Sequence, residues 1–437
     1  LITPAVLRST AIAAALLLCA AAPDPATPLT PAQEHAAVDT AEKLIAKNYV
    51  LEDKRAVVAE LRRREAAGRY AISNPAQFAQ TLSDDLVEIT QDRHMWFAYD
   101  PAGYRAALLP HDENHGDPLS AAAFARNNQG YEEMRILPGN IRYVNFTGFE
   151  WSGAPTASVI ADVARFLHGG DAIVLDIGGN GGGAPEAVQA LVSYFLPPDG
   201  RVLMTFHDGR SGKTNATHVL AALAGPRLTG IPLYVLISGN TGSAAEEFAT
   251  HTRYFKLGTL VGSTTAGAAN NNDVFPIAPY FLQSISYGRP VHPVSGTNWE
   301  RVGVAPDIVA PRPLALATAE VAALTGLMAN AAPERRAQYA WALVAAQAQL
   351  TPLKLDAEAL GAYAGQYGVR KIWLEDGVLA YRREGREATP LTPLAPDLFA
   401  LAGNADQRVQ FRRAGGRVVG FDLTTADGAR IPVDRSP

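Results

Sequence analysis

Ser243 stands in "LISGNTGSAAEEFATH" (236–251), between an apolar run and an alanine-rich stretch that reads as a helix. A serine at that place has two uses. Its side chain can cap the free N–H groups of the first turn. Alternatively, those N–H groups and the helix macrodipole favour negative charge developing beside a nucleophile. A nucleophilic serine also needs a base within hydrogen-bond reach. The local sequence leaves both readings open.

Three other stretches invite chemistry. "DIGGNGGGAPEA" (176–187) contains Gly179, Gly181 and Ala184 in the literal spacing of a dinucleotide fingerprint. That fingerprint requires an acidic residue after the next strand. Asp199 comes before "RVLMTF", so the nucleotide reading is disfavoured. Such a loop can instead aim backbone N–H groups at an oxyanion, because glycine has no Cβ to obstruct approach, or it can be a plain turn. "GRSGKT" (209–214) leaves two residues between its glycines where a phosphate loop needs four. "HDENH" (111–115) has Asp112 where zinc peptidases carry glutamate, and Pro110, Gly116 and Pro118 disfavour the helix that would align its histidines. A solvated loop is expected there, and no metal or organic cofactor is implied.

These groups need a frame. "TPAQ" (30–33) reads as a capping box, and Asn74 with Pro75 opens a helix that lines up Phe78, Leu82, Leu86 and Ile89. From about residue 130, apolar runs ending in glycines alternate with helical stretches, which predicts an α/β unit with a largely parallel sheet. Ligands in such sheets gather at the carboxyl ends of strands, where the glycines after Ile177 and Ile237 lie. A helical stretch at roughly 314–350 precedes runs joined by Asp376-Gly377, a hairpin signal that opens a small antiparallel β unit.

The 437 residues carry a net charge of −5, which excludes a basic footprint for nucleic acid, and the lone Cys19 excludes an internal disulfide. "LITPAVLRSTAIAAALLLCAAAPDPATP" orders Arg8, an apolar run too short to span a bilayer, and small residues, as a secretory signal peptide does. Export to the periplasm or medium is expected, with lipidation at Cys19 as the other processing outcome. The expected division is a signal peptide (1–22), an N-terminal helical subdomain (23–100), an α/β domain (101–313), a helical connector (314–350) and a C-terminal β domain (351–437).

Several stretches together resemble the S41 serine peptidases, the C-terminal-processing and tricorn-core group. "VLDIGGNGGG" is similar to the strand and glycine loop of that family, and "GSAAEEFA" to its nucleophile helix. "GTLVGSTTAGAANN" and "GTNWERVGVAPDIV" resemble the segments that follow. "QGYEEMRILPGNIRYVNFTGF" and "LVEITQDRHMWFAY" resemble the interphotoreceptor-retinoid-binding-protein-like branch, which has a helical N-terminal piece and no PDZ domain. The resemblance implies a ClpP/crotonase-like α/β core. Ser243 takes the nucleophile position, and the N–H groups of Ala244 and of Gly181 or Gly182 would form the oxyanion hole. The family's lysine base position is occupied here by Ala268, so a Ser-Lys mechanism is not expected. His94 matches the histidine base of the tricorn-like alternative and Glu300 its supporting glutamate, while Arg93 replaces the serine that precedes that histidine. The resemblance thus implies an exported serine peptidase acting on peptides or proteins through Ser243, His94 and Glu300. The alternative is a catalytically silent binding module for apolar small ligands on the same fold.

Overall fold

The computed structural model describes residues 27–51, 53–109 and 118–437. The signal-peptide reading, Cys19 and the "HDENH" motif lie outside the described residues.

The N-terminal helices form as their caps and faces dictate. Helix α1 (Pro31–Asn48) opens with the expected box, in which Thr30 Oγ1 accepts the Gln33 N–H at 3.3 Å and Gln33 Oε1 accepts the Thr30 N–H at 2.9 Å. Helix α2 (Lys54–Ala66) follows. Helix α3 (Pro75–Thr90) is capped by Asn74 Oδ1, which accepts the Gln77 N–H at 3.0 Å. Phe78, Leu82 and Leu86 are fully buried, and Phe78 meets Phe97 of strand β1 (Phe97–Tyr99) edge to face. Burial of such a side chain stabilises by about 1.5–3 kcal/mol. The helices α4 (Pro101–Ala107) and α5 (Pro118–Arg126) lead to the central unit.

There the chain alternates. Strands β2 (Tyr131–Leu137) and β3 (Ile141–Phe146), helix α6 (Ala154–His168), strand β4 (Ala172–Asp176) and helix α7 (Pro185–Ser193) come first. Strands β5 (Val202–Asp208) and β6 (Thr214–His218), strand β7 (Leu233–Ile237) and helix α8 (Ala244–Tyr254) follow. Strands β8 (Thr259–Gly262), β9 (Asn271–Ile277), β10 (Phe281–Val291) and β11 (Ile308–Val309) complete the unit. One sheet runs β11-β8-β7-β4-β3-β2 and is parallel except for the β2–β3 pair. Its residues alternate between faces, so Leu175 packs with Ile160, Val188 and Phe248 while Val174 packs with Ala319, Ala323 and Tyr339. The latter come from helices α9 (Ala315–Ala329) and α10 (Pro333–Leu350), into which the single expected helical stretch divides at Pro333.

A second, antiparallel sheet runs β1-β10-β5-β6, with β9 also on β10. It joins the N-terminal helices to the central unit, because Ile277, Phe281 and Ile285 share a core with Phe78 and Leu82. "GRSGKT" is the turn of the β5–β6 hairpin, where Asp208 Oδ1 accepts the N–H groups of Arg210 and Ser211, both at 2.8 Å. A phosphate loop opens a helix, and this one does not. The C-terminal segment is an eight-stranded antiparallel sheet between Gly365 and Asp434. Its Asp376-Gly377 turn has φ of 48° and 79°, as a two-residue hairpin requires. Mixed α/β sheets with an antiparallel C-terminal sheet are therefore the architecture of this chain.

Candidate active site

The parallel sheet brings the glycine loop after β4 beside the turn after β7, since the two strands are neighbours. Side chains lace the loops together. Ser238 Oγ donates to the Gly178 carbonyl at 2.6 Å, Thr241 Oγ1 to that of Ile177 at 2.9 Å, and the Gly242 N–H to that of Asn180 at 3.0 Å. Asp176 anchors the start of the glycine loop by accepting from Gly178 N–H, Arg312 and Tyr143.

Ser243 occupies the N-cap position of α8, where its backbone carbonyl accepts the Glu246 N–H at 2.9 Å. Its backbone does not follow from capping. An N-cap residue is normally extended with negative φ, but Ser243 has φ 49° and ψ −121°, the first central position of a type II′ turn, which favours glycine. Strain of this kind in a non-glycine residue persists where the surroundings hold it, and such residues cluster at functional sites. Gly182 lies directly against it. A Cβ on Gly182 would come within 2.6 Å of Ser243 Cβ and 3.1 Å of the Ala244 nitrogen. The Gly182 N–H is committed to Asn180 Oδ1 at 2.9 Å, whereas Gly181 is exposed and Ala244 begins the helix, where N–H groups lack intrahelical acceptors.

Behind the serine, the buried Glu246 gathers donors from two segments. Its Oε2 accepts the Ser243 N–H at 3.0 Å and the Ala268 N–H at 2.9 Å. Its Oε1 accepts the Thr265 hydroxyl at 2.5 Å and the Gly267 N–H at 2.6 Å. Burial pushes its carboxyl above the usual range, and these bonds oppose the shift. Sequence reasoning passed over Glu246, which the S-x-x-E capping signature "SAAE" could have flagged.

The segment 265–270 then reaches the second half of the site. Glu300 Oε2 accepts the Ala269 N–H at 2.7 Å and the Asn270 N–H at 3.2 Å, leaving Oε1 buried without a partner among the described residues. One polar atom each of Asp92, His94 and Glu300 lie within 4.8 Å of one another. Asp92, fully buried, holds the loop carrying the histidine. Its Oδ1 accepts the His94 N–H at 2.9 Å and its Oδ2 the Asn270 amide at 3.0 Å. His94 Nδ1 is also buried without a partner among the described residues. Burial pulls the imidazole below its usual pKa, and the Asp92 carboxylate opposes this. Burial, then repulsion by Asp92, pushes Glu300 up to about 7, against the two backbone bonds. Arg93 is exposed. Asp92 escaped the sequence reading because an Asp two residues before a His resembles any turn-forming Asp.

The fold thus brings His94 and Glu300 together and sets Ser243 against the glycine loop. No hydrogen bond joins the His94 ring to Ser243 among the described residues, and catalytic bonds are commonly loose without substrate. Helix α8 carries another histidine, His251, that sequence reasoning left aside. It lies eight residues beyond Ser243, about 12 Å along the helix. It is fully buried and stacked on Phe255, with burial pulling its pKa down to about 3. It belongs to the core.

Comparison with known proteins gives these residues a context. Residues 140–310 match the model of peptidase family S41. A carboxy-terminal-processing protease from Bartonella bacilliformis is 28% identical over 141 residues, covering 32% of this chain and 31% of that protein. The match therefore spans about a third of that relative's length. Among solved structures, the photosystem II D1 C-terminal processing protease is 16% identical, with a TM-score of 0.43 over 65% of this chain and 95% of that one. A lipoprotein from Streptococcus agalactiae is 15% identical, with a TM-score of 0.44 over 67% of this chain and 96% of that one. The central α/β portion, which holds both Ser243 and Glu300, is thus similar to peptidase family S41.

Proposed function

We propose that this protein is a serine peptidase in which Ser243 is the nucleophile, His94 its base and Glu300 the group that orients the base. The observation that carries this reading is the strained turn at Ser243, pressed on Gly182 and tied through Glu246 to the segment on which Glu300 is seated. In this reading Ser243 Oγ attacks the scissile carbonyl while His94 takes its proton and later gives it to the leaving amine. Ionised Glu300 holds the imidazole tautomer and stabilises the imidazolium. The N–H groups of Ala244 and Gly181 hold the tetrahedral oxyanion, because that of Gly182 already serves Asn180. Ala268 supplies no lysine, and none occurs between Lys256 and Lys354.

A 480 Å³ cavity bounded by Pro185, Phe206, Asp208, Arg210, Asn271 and Tyr287 supports a peptide substrate. It lies beside both active segments, since Pro185 follows the glycine loop and Asn271 follows the 265–270 segment. Among the described residues no helix is long and apolar enough to cross a membrane. The reading includes export by the N-terminal segment, with a peptide or protein substrate met outside the cytoplasm.

The test is labelling of the purified protein with a fluorophosphonate. Attachment at Ser243, lost in Ser243→Ala and in His94→Ala, is the expected result. A folded protein that is not labelled at Ser243, and that instead binds an apolar ligand, sinks the peptidase reading in favour of the binding module.

A further inference from the structure

Four buried polar atoms around Asp92 have no partner among the described residues: His94 Nδ1, Glu300 Oε1, Asn270 Oδ1 and the Tyr49 hydroxyl. Asn270 and Tyr49 are each only 1% exposed, so water from the bulk does not satisfy them. Asn270 donates an amide N–H to Asp92 Oδ2 at 3.0 Å, and the carbonyl oxygen of that amide is the unpartnered atom. Burial, then the nearby Asp92 carboxylate, disfavours ionisation of Tyr49, which directly follows α1. Buried unpaired polar atoms are uncommon, and a cluster of them calls for a ligand.

The donor set indicates which ligand. One imidazole nitrogen and two carboxylate oxygens already lie within 4.8 Å of one another. Ligand atoms around a first-row divalent ion stand about 2.0–2.2 Å from the metal, so a small inward movement brings these three into contact with one ion. Imidazole with carboxylate suits zinc-class ions, whereas an all-oxygen set would suit calcium or magnesium. The charge also favours a cation. Arg301 opposes the rise of the Glu300 carboxyl only weakly beside burial and Asp92, and its guanidinium is hydrogen-bonded to the Thr90 carbonyl.

We propose that Asp92, His94 and Glu300, with Asn270 Oδ1 as a fourth ligand, bind a divalent zinc-class ion that switches the enzyme off. A metal on Nδ1 leaves the imidazole proton on Nε2, the tautomer that cannot accept a proton from Ser243. Glu300 is withdrawn from its orienting role at the same time. The inhibitory part rests on the peptidase reading, and the binding part does not.

The experiment titrates tag-free, metal-stripped full-length protein with Zn²⁺ by calorimetry and with Co²⁺ by visible absorption. One equivalent is expected to bind, with affinity falling at least about tenfold in Asp92→Asn and in Asn270→Ala. Binding should persist in Ser243→Ala and in a His111→Ala/His115→Ala variant, which removes the "HDENH" histidines. Fluorophosphonate labelling of the wild type should fall in step with occupancy and return on chelation. Binding lost with His111 and His115, or unchanged in folded Asp92→Asn and Asn270→Ala, overturns the site, as does the lack of saturable binding. Stoichiometric binding to a protein that never labels upholds the site and removes the peptidase reading instead. Labelling that is indifferent to a bound metal overturns the switch.

Discussion

Glu246 and Glu300 accept the N–H groups of two consecutive residues, Ala268 at 2.9 Å and Ala269 at 2.7 Å. Neighbouring Cα atoms are about 3.8 Å apart, so the two carboxylates are held to one short piece of backbone. The same Glu246 oxygen accepts the Ser243 N–H, and Glu300 stands beside His94. Nucleophile and base, 149 positions apart in the sequence, are therefore positioned from a common rail.

The strain at Ser243 predicts a separation of stability from activity. Ser243→Gly and Ser243→Ala should both lose fluorophosphonate labelling. Glycine adopts φ 49° freely, so the glycine variant should be the more stable of the two by about 1 kcal/mol. Urea denaturation of both variants measures the difference, and equal midpoints would contradict a strained turn.

Two glycines in the loop should respond differently to a methyl group. Gly182 has φ 116°, and an added Cβ would come within 2.6 Å of Ser243 Cβ and 2.9 Å of the Gly242 carbonyl. Gly182→Ala should slow labelling by about a hundredfold or more, the scale of losing an oxyanion donor. At Gly181 nothing lies within 4 Å of the added atom, and Gly181→Ala should melt within a few degrees of the wild type. Thermal denaturation and labelling rates of the two variants test this.

Activity should fall in acid through the titration of Glu300. Its carboxyl is pushed up to about 7, and His94 is pulled below the usual histidine value, so the histidine remains a competent base at pH values where Glu300 protonates. The rate of labelling should decline as pH falls through about 7. In Glu300→Gln the rate should drop by roughly 10²–10⁴-fold and lose that limb. A profile whose acid limb is unchanged in Glu300→Gln would assign the limb to another group.

The buried pair Glu247 and His251, 3.4 Å apart, makes a prediction about stability. Burial, then repulsion by Glu186, pushes Glu247 up from 4.5 to about 8. The folded state thus binds the proton more tightly, so the contribution is fully present below pH 4.5 and is lost as pH rises through about 8. His251 acts oppositely. With its pKa pulled from 6.5 to about 3, its contribution is present above pH 6.5 and lost as pH falls through about 3. Glu247→Gln should flatten the melting temperature between pH 6.5 and 8, and below pH 6.5 it should leave the His251 slope unopposed. Calorimetry across that range checks both arms.

Much of this molecule was legible in its residues. The Thr30 box, the Phe78–Leu82–Leu86 face, the buried parallel strands and the Asp376-Gly377 hairpin each depend on neighbours close in sequence. Short-range hydrogen bonding and periodic burial write such features directly into the chain. Ser243 at the N-cap position was legible for the same reason, whereas Glu246 was passed over although "SAAE" carries its signature.

Position among distant residues was not. Nothing local distinguishes Asp92 from a turn former or Asn270 from a loop amide, yet their side chains meet across 178 positions. The division of the glycine loop was equally hidden, because only the folded loop commits Gly182 to Asn180 and turns its Cα against Ser243. By itself the sequence determined which residues could carry chemistry and which elements would hold them. Tertiary structure decided which of those residues share one buried polar environment, because burial, repulsion between carboxylates and orphaned donors arise only when separate segments exclude water together.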